Sequence, residues 1–112
     1  MEDEKISLEE FKKLDLRVGR ILDLKEHPNA EKLYVLKVDF GSEERTIVAG
    51  LRKCYSISEL KGKQAVFVFN LEPAMLRGIK SDGMILAASN ENKSEVVFIE
   101  PEKEIGEGSK IS

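Results

Sequence analysis

Residues 33–50, Leu33-Tyr-Val-Leu-Lys-Val-Asp-Phe-Gly-Ser-Glu-Glu-Arg-Thr-Ile-Val-Ala-Gly50, hold the clearest pattern in the chain. From Leu33 to Phe40 the side chains alternate. Tyr34, Leu36, Val38 and Phe40 face one way, and Leu33, Val35, Lys37 and Asp39 the other. A period of two marks a β-strand with one face on a core. Gly41-Ser42-Glu43-Glu44 reads as a hairpin loop, and Arg45 to Ala49 as the returning strand.

The neighbouring segments extend this hairpin. Upstream, Leu16 to Glu26 is a long strand whose apolar phase shifts after Gly19, which predicts a bulge or a sharp bend there. His27-Pro28-Asn29-Ala30 is the turn out of it, because proline fixes φ and asparagine tolerates unusual φ. Before it, Ile6 to Leu14 reads as a short helix. Ser7 and Glu10 have capping-box spacing, and Ile6 and Phe11 that of a hydrophobic staple. Phe11 and Leu14 share a face and should dock on the body. Residues 1–5 are expected to be disordered.

Downstream, Ser56 to Leu60 is one helical turn opened by a serine cap. Ala65 to Phe69 is continuously apolar, as in a strand buried on both faces. A loop with Pro73, Gly78 and Gly83 leads to a strand at Met84 to Ala88. Asn90 to Ser94 is a polar turn, and Val96 to Ile99 a further strand ended by Pro101. Five short core strands with a helix between the third and fourth predict an all-β fold. The predicted form is a five-stranded oligonucleotide-binding barrel with a short N-terminal helix and a C-terminal strand extension. A plain small barrel or a sandwich is the alternative.

Composition bounds the function. The 112 residues form one domain, 41% hydrophobic and 35% charged. No apolar run spans a bilayer, and the acidic start, Met-Glu-Asp-Glu-Lys, is no signal peptide. Cys54 is alone, which fits a reducing cytoplasm. One histidine and one cysteine offer neither a zinc site nor an activated nucleophile. The net charge of −3 conceals a split. The first ten residues hold five acids and one base, and residues 90–112 six acids and three bases. From totals of 21 acids and 18 bases this leaves 10 acids and 14 bases in residues 11–89, so the body is basic.

The loop at 70–88 mixes Arg77 and Lys80 with bare Met75, Leu76 and Ile79. Cations beside apolar groups in a loop point to a contact surface, although Leu76 and Ile79 would equally fit a satellite core. Met84 is either a contact or a core residue, and Glu43 is placed away from the site. Seven aromatics, mostly on core faces, do not make a base-stacking platform.

Five phrases carry a family resemblance. They are Asp15-Leu-Arg-Val-Gly19, His27-Pro-Asn-Ala-Glu-Lys-Leu-Tyr34, Ile47-Val-Ala-Gly-Leu51, Asn70-Leu-Glu-Pro73 and Arg77-Gly-Ile-Lys-Ser-Asp-Gly-Met84. Over about residues 6–112 the chain resembles the tRNA-binding domain of the methionyl-tRNA synthetase C-terminal and β-subunit family. Stand-alone tRNA-binding proteins and endothelial monocyte-activating polypeptide share that domain. The resemblance implies a non-catalytic module without cofactors that binds tRNA by shape. Its length points to the separate β subunit, a cytoplasmic homodimer serving a methionyl-tRNA synthetase catalytic subunit, with no membrane or small-molecule partner. The family's RNA surface maps onto Lys32, Arg77, Lys80, Ser81 and Met84, with Arg52 a further candidate. Ser81 would offer its hydroxyl to a phosphate or 2′-hydroxyl. Residues 90–112 would be the dimerisation extension, through Val96, Phe98, Ile99, Ile105 and Ile111. Ala49, where serine is common, and the acid Asp82 depart from the pattern. A chaperone-like branch associated with protein export is the alternative. It lacks much of the 27–34 and 81–84 phrases.

Overall fold

A computed structural model describes residues 4–112. Its elements run in chain order: α1 (Leu8–Phe11), β1 (Leu16–Glu26), β2 (Tyr34–Asp39), β3 (Glu44–Ala49), α2 (Ile57–Leu60), β4 (Gln64–Val68), β5 (Ala74–Leu76), β6 (Ile79–Ser81), β7 (Met84–Ile85), β8 (Ala87–Ser89), β9 (Val96–Phe98) and β10 (Lys110–Ile111). The main sheet has the order β3-β2-β1-β4-β7, with β10 added along the start of β1. It curls until β3 meets the segment leading into β7. There the Asp82 N–H donates to the Thr46 carbonyl at 2.9 Å. The result is the nearly closed barrel that the strand count predicts.

The alternation along β2 fills it. Tyr34, Leu36, Val38 and Phe40 are all buried, and Phe67 and Phe40 meet edge to face at 5.4 Å. All five residues of β4 are buried, as a two-faced strand requires. Both helices are single turns held by reciprocal capping boxes, Ser7 with Glu10 and Ser56 with Glu59. Leu60 from α2 plugs the barrel, fully buried.

Four local expectations change. The bulge lies between Ile21 and Asp23, not at Gly19. Gly19 is glycine because a Cβ there would stand 2.6 Å from Val38 Cγ1 and 2.7 Å from Phe40 Cε1. The first helix stops at Phe11, short of Leu14, and the staple is open, with Ile6 63% exposed. Phe11 is half-buried while Leu14 faces solvent. The expected disorder at the start falls partly on residues 1–3, outside those described. Glu4 and Lys5 are exposed and belong to no element.

The C-terminal segment completes the wall rather than hanging from it. Gly108 N–H donates to the Val18 carbonyl at 2.7 Å, and Val18 N–H to the Ser109 carbonyl at 2.9 Å. Arg20 is bonded to Glu104 and Glu107, and Gln64 to the Ile105 backbone and Glu107. Strand β9 pairs with β8 in a separate hairpin. Val96 and Phe98 turn inward, Phe98 against Tyr55 at 5.3 Å between ring centroids. Val97, Ile99 and Ile105 face outward. Because neighbouring strand residues point oppositely, Val97 occupies the outer face assigned from sequence to Val96 and Phe98.

Candidate nucleic-acid interface

The segment expected to be a loop contains a hairpin. β5 and β6 pair through Ala74–Ser81, Met75–Lys80 and Leu76–Ile79, joined by Arg77 and Gly78. Both turn residues have positive φ, 53° and 91°, the signature of a two-residue type I′ turn. Glycine takes that conformation freely, and arginine at the first position is the unusual partner. Pro73 excludes a ladder only as far as its own position, and pairing begins at Ala74.

The register sorts the side chains. Ile79 and Ser81 point toward the barrel, Met75 and Lys80 away from it. Lys80 and Met75 are direct cross-strand partners and both exposed, so a cation and a thioether share the outward face. Met84 on β7 is 44% exposed, which excludes the core reading. Of the two residues fitting a satellite core, Ile79 is half-buried and Leu76 remains 37% exposed.

Beside the hairpin lies an open cleft of about 840 Å³ between the turn after β1 and the start of α2's connection. Lys32, Arg52 and Arg77 line it, so three of the candidate cations meet although they are distant in sequence. Lys32 is exposed at its edge. Arg52 donates to the Ala30 carbonyl at 3.0 Å and pairs with Glu26 at 3.2 Å. Arg77 donates twice to the Asn29 carbonyl, at 3.2 and 3.0 Å. These are exposed bonds to a neutral acceptor, so a phosphate would outbid them at small cost. Glu26 and Glu31 also line the cleft and moderate its field.

Ser81 does not belong to this surface. It is 4% exposed, its Oγ accepts from the Val48 N–H at 2.9 Å and its hydroxyl donates to the Gly83 carbonyl at 3.1 Å. The hydroxyl closes the barrel where β3 and β6 lack a full ladder. Its hydrogen-bonding capacity is spent inside the fold. Glu43, read as away from the site, is not among the cleft-lining residues and pairs with Arg45 at 2.9 Å. Arg45 and Arg17 sandwich the Phe69 ring from 3.5 and 3.9 Å. Arg17 also grips Asp15 through two bonds of 2.9 Å. This bond, with the Arg17 charge, holds the Asp15 carboxyl below the usual carboxylate range. The Asp15-Leu-Arg phrase thus fixes the start of β1.

The residues that reading the sequence left out of the site are its organisers, His27, Asn29 and Ala30. His27 was read as structural, and it is 2% exposed. Met75, read from sequence as a bare apolar group of the contact loop, is set beside Lys80 by the hairpin register. Among the described residues no cluster of histidine, cysteine or acidic side chains is placed to hold a metal.

Comparison with known proteins places the chain in a family. The family described as "Putative tRNA binding domain" matches residues 16–110. The methionine–tRNA ligase of Pyrococcus horikoshii is 51% identical over 110 residues, 98% of this chain and 15% of that protein. That of Parabacteroides distasonis is 45% identical over 108 residues, 96% of this chain and 16% of that protein. The chain therefore spans about a sixth or less of the curated relatives named here. A methionyl-tRNA-synthetase-related protein from P. horikoshii superposes with a TM-score of 0.92 at 35% identity, covering 98% of this chain and all of that one. The CsaA chaperone of Bacillus anthracis does so at 0.88 and 33%, covering 97% of this chain and all of that one. With the family pattern covering nearly the whole barrel and both cleft-forming phrases, the chain belongs to the tRNA-binding domain family.

Proposed function

We propose that this chain is a non-catalytic module that binds folded tRNA by backbone and shape and presents it to a methionyl-tRNA synthetase, as a separate cytoplasmic β subunit. The observation that carries the reading is the meeting of Lys32, Arg52 and Arg77 in one open cleft beside the hairpin bearing Lys80. Cations on separate loops, held at fixed positions by a rigid barrel, match phosphates along a folded backbone rather than one base. Met75 and Met84 add polarizable contacts for a sugar or base face.

The outward apolar residues Val97, Ile99 and Ile105 support pairing of two copies through residues 90–112. Ile111, half-buried against β1, would lie at the margin of that seam. Pairing would double the phosphate contacts available to one tRNA.

A polypeptide-binding role is the second reading. It is favoured by exposed Leu71, Met75, Leu76 and Met84 and by the likeness to CsaA chaperones. Filter binding with folded tRNA and with an unfolded polypeptide separates the two. Saturable tRNA binding that polypeptide does not displace supports the first. Binding of polypeptide alone replaces it with the second.

A further inference from the structure

The 27–30 turn and the β5–β6 hairpin are joined by side chains. Among the described residues no backbone–backbone hydrogen bond links the hairpin tip to that turn. His27 bridges them instead. The Asn29 N–H points at its Nδ1 from 3.0 Å, and its Nε2 lies 3.0 Å from the Leu76 carbonyl oxygen. An N–H can be accepted only by a bare nitrogen lone pair. The ring proton therefore sits on Nε2 and is donated to Leu76. Leu76 is the last residue of β5, adjacent to Arg77 at the tip. Arg77 returns its bonds to the Asn29 carbonyl. The two links differ in exposure. The Arg77 link is open to solvent, whereas His27 is 2% exposed.

We infer that His27 is a positioning residue for RNA binding. Its Nε2–H bond sets the height of the hairpin over the cleft and so places Arg77 and Lys80 opposite the phosphates. The inference rests on the RNA-binding reading above. When Arg77 turns from Asn29 to a phosphate, its own link to the turn is lost. The His27 bond, part-buried and made by a ring shielded from solvent, is then the one that still holds the tip. A hydrogen bond shielded from water is electrostatically stronger than one open to it.

Two near-isosteres divide the two ring nitrogens. Glutamine at position 27 extends an amide N–H to the place of Nε2 and keeps the bond to Leu76. Asparagine keeps an acceptor at the place of Nδ1 for the Asn29 N–H but stops short of Leu76. His27→Gln should bind folded tRNA within about threefold of the unmutated protein, and His27→Asn about tenfold more weakly, the loss of one hydrogen bond. Amide exchange at residues 76–80 should quicken in His27→Asn only. Equal affinity and equal exchange in the two variants, or the larger loss in His27→Gln, overturns the inference. Nitrogen NMR of the unmutated protein tests it without any variant. An Nε2-protonated ring is expected, and an Nδ1-protonated ring overturns it. Failure of the unmutated protein to bind tRNA would remove the RNA reading, while the exchange data and the tautomer still decide whether His27 holds the hairpin.

Discussion

Replacing Ser81 with alanine separates a barrel-closing hydroxyl from an RNA contact. The substitution removes one oxygen from a site 4% exposed and leaves the Val48 N–H and the Gly83 carbonyl without their partner. A buried donor left unsatisfied costs about 1–3 kcal/mol, and water reaches this site poorly. Two orphaned groups place the loss near the upper end, about 2–3 kcal/mol. For a domain of 112 residues the unfolding entropy, about 2 cal/mol/K per residue, converts this to a fall of roughly 8–13 °C in Tm. Calorimetry reads the Tm, and fluorescence anisotropy with labelled tRNA reads the affinity at a temperature where both proteins are folded. Affinity should change by less than about threefold, because the hydroxyl does not face the cleft. An unchanged Tm with a tenfold loss of affinity would refute the reasoning and return Ser81 to the RNA surface.

Other perturbations test separate parts of the structure. Gly19→Ala should lower stability by about 1–3 kcal/mol, because its Cβ would overlap Val38 and Phe40. A Tm that holds or rises would show that the barrel has room there. Met84→Ala should cost less than about 1 kcal/mol, given its 44% exposure, while weakening tRNA binding. A core-sized loss on melting, or unchanged affinity, contradicts its placement. Asp15 has its pKa lowered by the Arg17 bond, so the unfolded chain takes up its proton first as pH falls. The pair's contribution is present above about pH 4 and is lost as pH falls through the lower folded-state value. In melting scans from pH 7 to pH 2, Asp15→Asn should be less stable at neutral pH, with the gap narrowing below about pH 4. A gap that persists at pH 2 would assign the loss to geometry and not charge.

Much of the barrel was legible because its signals are local. The alternation of β2, the continuous apolar run of β4 and both serine caps each rest on a few neighbouring residues, and β1 occupies the span read for it. What escaped depends on distant partners. Gly19 reads as a bulge until Phe40 is seen packed across it. The hairpin at 74–81 hides because its strands are three residues long and its turn is Arg-Gly, not the common Asn-Gly. In strands that short, periodicity cannot tell Ser81, which faces inward, from Lys80, which faces outward. Val96 and Phe98 were read as seam because they are apolar; in the fold they are half-buried against the core, and Val97 between them is the residue that faces outward. The cations at 32, 52 and 77 were named one by one. Only the folding of three loops to one cleft brings them together.

The salt dependence of tRNA affinity, measured for the unmutated protein, Arg77→Ala and Lys12→Ala, tests the account most directly. Lys12 is an exposed cation at the end of α1, is not among the cleft-lining residues, and serves as the charge-matched control. Each neutralised phosphate contributes a slope of roughly −0.7 to −0.9 in log affinity against log salt. Arg77→Ala should bind about tenfold or more weakly and lose close to one such unit of slope, while Lys12→Ala keeps both. Identical slopes and affinities in all three proteins would contradict the claim that the cleft and its hairpin hold the RNA.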